Sequence, residues 1–423
     1  MRILILHPKL AWEGGGDRQV LELSSHLQKK GHKVIIFTTE YDYNRCFPEI
    51  SGKLDIRVVK FNEGRQNEIF DILRAKKIAR IIYSMVSKDN ERPDIINCHT
   101  SPMHWVAVYL KKRINIPVVW MCNDLPPWFL PFLRDRIILR QGIKKLMLTS
   151  CKRFMYKTFL PWYDRLLIKD IDRIVVLDRR NQFMIKNAYR KNACIIRSGL
   201  DIDKFSQGNR EETRKEHSIH SNVFLILSVG LLSSHRRHED VVMSLALLTA
   251  KGYNVKFMVI GGDNLTPGYS EILRNYVIAN GMQDKVLLVG SVPDSRLPDY
   301  FAASDIFVYP HVNQTWGLAA LEAMAAKRPV VISTDTGVSE LLVDYETALL
   351  VPPKDPELLC NKIAELIDNQ KLREKLVSKA YDFVLNNISW DKYSKEILDV
   401  FRLYCSDVNE SMSEMKLREE TPK

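Results

Sequence analysis

Short β-branched runs alternate with amphipathic stretches from the first residue onward. MRILILHP, HKVIIFTT, LDIRVVKF, DIINCHT, IPVVWMC, RIVVLD and ACIIRSG are apolar at consecutive positions rather than at every second one. Strands of that kind bury both faces, as in a parallel sheet covered by helices. A helix is predicted over Asp17–Lys30 and stopped by Gly31. A polar break follows over Asp203–Ser221, and the alternation then restarts with VFLILSVG, KFMVIGG, KVLLVGSV, IFVYP, PVVISTD and ALLV. The pattern predicts an α/β chain of two doubly wound domains, over 1–203 and 204–388. Such sheets take ligands at the carboxyl ends of their strands, so two of them facing each other make a cleft.

Two regions leave the rhythm. Residues 126–170 contain no strand pattern, and from Arg134 to Lys169 ten Lys and Arg stand against only Asp135 and Asp164. Large apolar residues interleave at helical spacing. One reading is a basic amphipathic helix in an anionic membrane interface, held by Lys144, Lys145, Lys152 and Arg153. The other is a buried helical insertion with a solvated basic face. The last residues, 406–423, lack periodicity and are expected to be disordered.

Composition narrows the function. A length of 423 residues exceeds one ordinary core, and the 46% hydrophobic share is that of a globular chain. A formal charge of +11 points to an anionic partner. Nucleic acid is the poorest fit, since the basic residues interleave with aliphatics and no binding motif is present. No apolar run reaches 18 residues, so no membrane-spanning helix is expected. MRILILHPKL has one basic residue ahead of its short apolar run and no cleavage site, and reads as a first strand instead of a signal peptide. Seven scattered cysteines without a CxxC pair argue for a reducing compartment and against a zinc site.

Candidate chemistry lies at strand ends. Gly14, Gly15 and Gly16 precede the first helix, where bare backbone N–H groups and a helix dipole suit a phosphate, although a flexible turn explains them equally. Arg236 and Arg237 follow the first strand of the second domain and suit a diphosphate, which arginine grips with two N–H groups. Glu322 lies within two turns of the start of an Ala-rich helix beginning near Trp316-Gly317, among apolar neighbours that argue against a solvated acid. A carboxylate so placed suits ribose hydroxyls. His99 ends the strand DIINC, and Asp124 either acts on an acceptor hydroxyl or caps a turn.

These pieces, with RSGLDIDKF, VYPHVNQTWGLAALEAMAAKRPVV, TGVSELLVDYETALLVPPKDPELL and ISWDKYSKEIL, resemble the GT-B glycosyltransferases of family 4 over about residues 1–400. YDYNRCFPEISGKLDIRVV and WMCNDLPPW look most like the α-mannosyltransferases of lipid-linked oligosaccharide synthesis. The resemblance implies two Rossmann-like domains and a crossover helix, 389–405, returning to the first. It implies transfer from a nucleotide-sugar (GDP-mannose or a UDP-sugar) to a lipid-linked or glycan acceptor, with retention and without a metal or other cofactor. It places Glu322 on the ribose, and Gly230, Thr315, Gly317 and Leu318 among the donor contacts. The protein would be cytoplasmic, peripheral on the cytoplasmic face of a membrane.

The chain departs from the family pattern at several points. Gln314 replaces the first glutamate of the Glu-x7-Glu pair. Asn123 replaces the histidine near the donor sugar. Leu231 stands in place of an arginine, and Arg236 in place of a lysine, with Arg237 able to compensate. Paired amides at both sugar contacts suggest a variant site. Two alternatives stay open: a non-catalytic partner of another transferase, and a sugar-nucleotide epimerase or phosphorylase of the same fold.

Overall fold

Consecutive apolar residues leave the central strands buried on both faces, and two large, wholly parallel sheets result, alongside a two-stranded parallel pair of Lys9–Leu10 with Glu40–Tyr41. The structure, a computed structural model, describes residues 1–60, 68–88, 92–129, 154–263 and 266–419. The chain divides into two units, Met1–Arg197 with Asp391–Lys423, and Ser198–Trp390. By internal packing the first unit ends at Arg197, a few residues before the boundary expected at 203. The reason is local: the turn Ile202–Phe205 packs on helices of the second unit, with Phe205 edge-on to Phe301 at 5.6 Å.

The first unit holds strands β1 (Arg2–Leu6), β2 (Lys33–Thr38), β3 (Asp55–Val58), β4 (Ile95–His99), β5 (Val118–Met121), β6 (Arg173–Val176) and β7 (Ala193–Ile195). Their spatial order is β3-β2-β1-β4-β5-β6-β7. Leu4 is in register with Ile35 on one side and Ile96 on the other. Helices α1 (Gly15–Lys29), α2 (Glu68–Lys88), α3 (Met103–Ile114), α4 (Leu160–Ile168) and α5 (Arg179–Tyr189) connect them.

The second unit repeats the plan with β8 (Phe224–Val229), β9 (Val255–Ile260), β10 (Val286–Gly290), β11 (Ile306–Tyr309), β12 (Val330–Ser333) and β13 (Leu349–Val351), ordered β10-β9-β8-β11-β12-β13. Its helices include α6 (His238–Ala250), α7 (Tyr269–Ala279), α8 (Leu297–Ala303), α9 (Leu318–Ala325), α10 (Pro356–Asp368) and α11 (Gln370–Asn387). In both sheets the order reverses once, beside β1 and beside β8.

The last helix, α12 (Trp390–Glu419), rejoins the first unit. Its buried Tyr393 donates to Met121 Sδ, and Lys30 pairs with Asp391 at 2.5 Å. The helical backbone continues to Glu419. Met, Leu, Glu, Lys and Arg dominate the final turns, and those residues sustain a helix without an apolar stripe.

Within 126–170 the described residues form one turn (Pro127–Phe129), a π-helical turn (Met155–Phe159) and α4. Lys144, Lys145, Lys152 and Arg153 lie outside the described residues. Asp164, counted from sequence among the acids facing the basic charge, is in the core with 0% exposure. Its Oδ1 accepts from His104 Nε2 and Trp105 Nε1, both at 2.7 Å. Its Oδ2 accepts from Trp128 Nε1 at 3.0 Å and the Tyr189 hydroxyl at 2.5 Å. Four donors from α3, α5 and the 127–129 turn thus answer one buried carboxylate, the condition under which such burial is tolerated.

Asp164→Ala leaves all four donors without their acceptor, and is expected to cost roughly 3 to 5 kcal/mol. Thermal unfolding followed by circular dichroism measures it, and a midpoint equal to wild type would show that this network does not hold the region together.

Candidate functional site

Three loops of the second unit leave the carboxyl ends of β8, β11 and β12, and backbone bonds stitch them together. Val312 N–H donates to His235 O at 2.8 Å, joining the β11 loop to the β8 loop. Asn313 N–H donates to Asp335 Oδ2 at 2.8 Å, Gln314 N–H to Asp335 O at 3.2 Å, and Gly337 N–H to Gln314 O at 2.9 Å. Residues 312–314 are therefore fixed from both sides.

Arg236 lies at the centre. Its Nη1 donates to His311 Nδ1 at 2.9 Å and to the Tyr309 hydroxyl at 3.2 Å. Its Nε is buried without a hydrogen-bond partner among the described residues. Gly230, in extended positive-φ backbone (φ 150°), follows β8 directly beneath this guanidinium. Arg237 corrects the expectation of a second phosphate arginine. Its Nε donates to Asp240 Oδ2 at 2.8 Å and its Nη2 donates to Oδ1, so an i,i+3 carboxylate already occupies its fork.

Buried imidazoles surround Arg236. His311 is fully buried, and burial first, then the Arg236 charge, pushes its pKa well below the ordinary value. The ring is neutral and its Nδ1 is free to accept. His238 is pushed down to about 3 for the same reasons, burial ahead of Arg236 and His235.

Glu322 enters from α9, a helix buried on nearly every side through Ala320, Leu321, Ala323, Met324 and Ala325. At 6% exposure it is no solvated surface acid. It lies near the Tyr309 phenol, whose pKa burial raises, with Arg236 opposing and Glu322 adding to the rise. Gly317 starts the helix at φ 142°, and a Cβ there would come 2.9 Å from Val338 Cγ1. Only glycine admits this turn. Gln314, Thr315 and Leu318 are half-buried at the same loop.

In the first unit Gly14 is the N-cap of α1 in ordinary extended conformation (φ −106°), followed by Gly15 and Gly16 in the first turn. No backbone constraint requires these glycines. What they leave is space, for no atom of the described residues comes within 4 Å of a Cβ built on Gly16. His99 is corrected to a core imidazole. It is 0% exposed, its Nε2 donates to Asn97 Oδ1 at 2.8 Å, and burial holds its pKa well below the ordinary value. Asn123 Nδ2 donates to Gln19 Oε1 at 2.7 Å, so the amide is anchored to α1, while Asp124 is exposed. Sequence reasoning missed His7, at the end of β1 with its Nε2 2.8 Å from Asp17 Oδ1, and also Tyr309 and His311. The strand-end criterion that singled out His99 would have found His7 and His311.

Residues 13–204 match the profile "Glycosyltransferase Family 4", and residues 209–383 match "Glycosyl transferases group 1". The chain belongs to the GT-B glycosyltransferases. An uncharacterized glycosyltransferase of Methanocaldococcus jannaschii is 22% identical over 387 residues, 90% of this chain and 92% of its own. The α-1,3/1,6-mannosyltransferase alg2 of Schizosaccharomyces pombe is 24% identical, across 95% of this chain and 81% of its own. The crystal structure of Anabaena HepE in complex with UDP and glucose shares the fold with a TM-score of 0.76 at 16% identity, covering 95% of this chain and 99% of that one. Among the described residues of this transferase, no helix is long and apolar enough to cross a membrane.

Gly317→Ala combines a left-handed φ with a clash, and is expected to cost about 1 to 3 kcal/mol. A thermal midpoint lowered for the second unit bears this out; an unchanged midpoint would mean that the 316–318 turn relaxes freely.

Proposed function

We propose that this transferase moves a hexosyl group, mannose as first choice, from a nucleotide-sugar to a lipid-linked or glycan acceptor at a membrane surface, with retention of configuration. The observation that carries the reading is that Arg236, bonded to the Tyr309 hydroxyl, and the buried carboxylate of Glu322 follow the two strands beside which the sheet order reverses. In this reading Glu322 accepts from the ribose hydroxyls, and Arg236 neutralises the diphosphate as it leaves. Gly230, Thr315, Gly317 and Leu318 line the donor. The bond from the anomeric carbon to the phosphate oxygen breaks, and the acceptor oxygen bonds to that carbon on the same face. The departing phosphate oxygen takes the acceptor proton. On the second unit Gln314 meets the sugar as a neutral amide; on the first unit Asn123, Asp124 and Gly14 to Gly16 are the residues offered for the sugar, the acceptor and a phosphate.

The mannosyl choice rests on the similarity to alg2; the binding of UDP and glucose by HepE keeps UDP-sugars in play. The membrane part rests on α4 and the turn before it. Trp162 (58% exposed) and Leu166 project at i,i+4 spacing, Phe154 is exposed in the turn before them, and Lys157, Arg165 and Lys169 are exposed as well. Pro161, Asp164, Leu167 and Ile168 are buried on the opposite face. Aromatic and basic residues on one exposed face suit a bilayer interface. The reading puts the protein peripherally on the cytoplasmic face.

Offered labelled GDP-mannose, UDP-glucose, UDP-N-acetylglucosamine and UDP-galactose with polyprenyl-linked lipid extract, the purified protein is expected to label the lipid phase from GDP-mannose. Label released without acceptor would favour an epimerase or hydrolase. No transfer from any donor, with none gained in Gln314→Glu, would favour a non-catalytic partner.

Replacing Lys144, Lys145, Lys152 and Arg153 by Glu, or Trp162 and Leu166 by Ala, is expected to reduce sedimentation with anionic liposomes at least about tenfold. Undiminished binding by both variants would end the membrane reading.

A further inference from the structure

A guanidinium offers five N–H groups in a rigid plane, and the bonds it makes on one side determine the edge it presents on another. Both N–H groups of Arg236 Nη1 are spent, one on His311 Nδ1 at 2.9 Å and one on the Tyr309 hydroxyl at 3.2 Å. Nε is sealed from solvent and has no hydrogen-bond partner among the described residues, so Nη2 is the open end of the guanidinium. A buried charged donor without an acceptor is costly. Nη2 is then the end from which a charged N–H can reach a phosphate oxygen.

We infer that His311, together with the Tyr309 hydroxyl, is a positioning residue that turns Nη2 of Arg236 toward the donor diphosphate. The inference rests on the proposed nucleotide-sugar site and names the device that orients its phosphate grip. His311 touches no substrate in this scheme. It is fully buried, and its ring lies against Tyr309 with centroids 3.6 Å apart, so its Nδ1 is held in one place. Its backbone is held as well, since Val312 is bonded to His235 O in the loop that carries Arg236. Because the guanidinium is always charged, the imidazole beside it stays neutral, and Nδ1 remains an acceptor. Leu231 stands one residue after Gly230, where it contributes no charge, so the orientation of Arg236 carries the phosphate contact on this loop.

The test is calorimetric titration of the full chain with UDP, UMP, GDP and GMP. His311→Leu removes the acceptor. It is expected to weaken the diphosphate that wild type prefers by about tenfold, the worth of 1.4 kcal/mol, and the matching monophosphate by less than about threefold. His311→Asn, whose amide oxygen can stand where Nδ1 stood, is expected to restore diphosphate affinity to within about threefold of wild type. Tyr309→Phe keeps the ring and removes the second acceptor, and is expected to show the same diphosphate-selective loss by a smaller factor.

Equal losses for diphosphate and monophosphate, or no rescue by His311→Asn, would make His311 a packing residue and overturn the inference. So would wild-type diphosphate affinity in His311→Leu. If His311→Leu does not fold, His311→Asn and Tyr309→Phe decide alone: wild-type diphosphate affinity in both, or an unselective loss in either, overturns it. Wild-type protein that binds none of the four nucleotides would instead overturn the nucleotide-sugar reading, and this inference with it.

Discussion

Parallel strands must be joined by crossovers, and where a parallel sheet reverses its order the two neighbouring crossovers depart to opposite faces. The loops beyond those two strands then separate and leave a crevice at the carboxyl edge. Each unit has one such point, beside β1 and beside β8. The chemistry of the second unit hangs on it. Arg236 follows β8, His311 and Gln314 follow β11, and the bond from Val312 N–H to His235 O ties the two loops where they part. In the first unit the same logic places His7 and Gly14 to Gly16 after β1 and His99 at the end of β4.

Charge in the second-unit site is arranged by subtraction. Two adjacent arginines would repel each other if both faced one crevice, but Asp240 neutralises Arg237 three residues away on the same helical turn. The histidines near Arg236 add no charge, because burial and that arginine keep His238 and His311 unprotonated. One cation and one buried carboxylate, Glu322, therefore dominate the field around Tyr309. In a poorly solvated site a lone, well-oriented cation acts more strongly on a leaving diphosphate than it would in water.

The strands were legible because unalternating apolar runs have few other uses, and Glu322 was legible because a carboxylate among Ala, Leu and Met is costly to keep there idle. The Arg237–Asp240 pair was also readable, as an i,i+3 spacing at a helix start, yet the adjacency of the two arginines drew attention first. Other features were beyond local reading. Asp164 looks like a surface acid until Trp105, Trp128 and Tyr189 arrive from three distant segments. His99 and His311 both end strands, and only tertiary packing distinguishes the one bonded into its own sheet from the one bonded to Arg236. The final helix carries its apolar stripe, Trp390, Tyr393, Ile397 and Phe401, only in its first turns, and propensity carries the rest to Glu419.

The amide at Gln314 is where geometry and charge come apart. Its backbone is bonded on both sides, to Asp335 O and from Gly337 N–H, so the position of this residue does not depend on what its side chain binds. Exchanging a carboxylate for an amide at such a point changes the field and leaves the scaffold in place. With the amide, Glu322 is the one carboxylate on this helix-and-loop segment, from Pro310 to Ala325. A sugar carbon developing positive charge beside Gln314 would draw less help from the protein, and more from the departing diphosphate itself. The better Arg236 holds that diphosphate in line, the less a carboxylate at residue 314 is needed, which makes the neutral amide and the fixed arginine two parts of one solution.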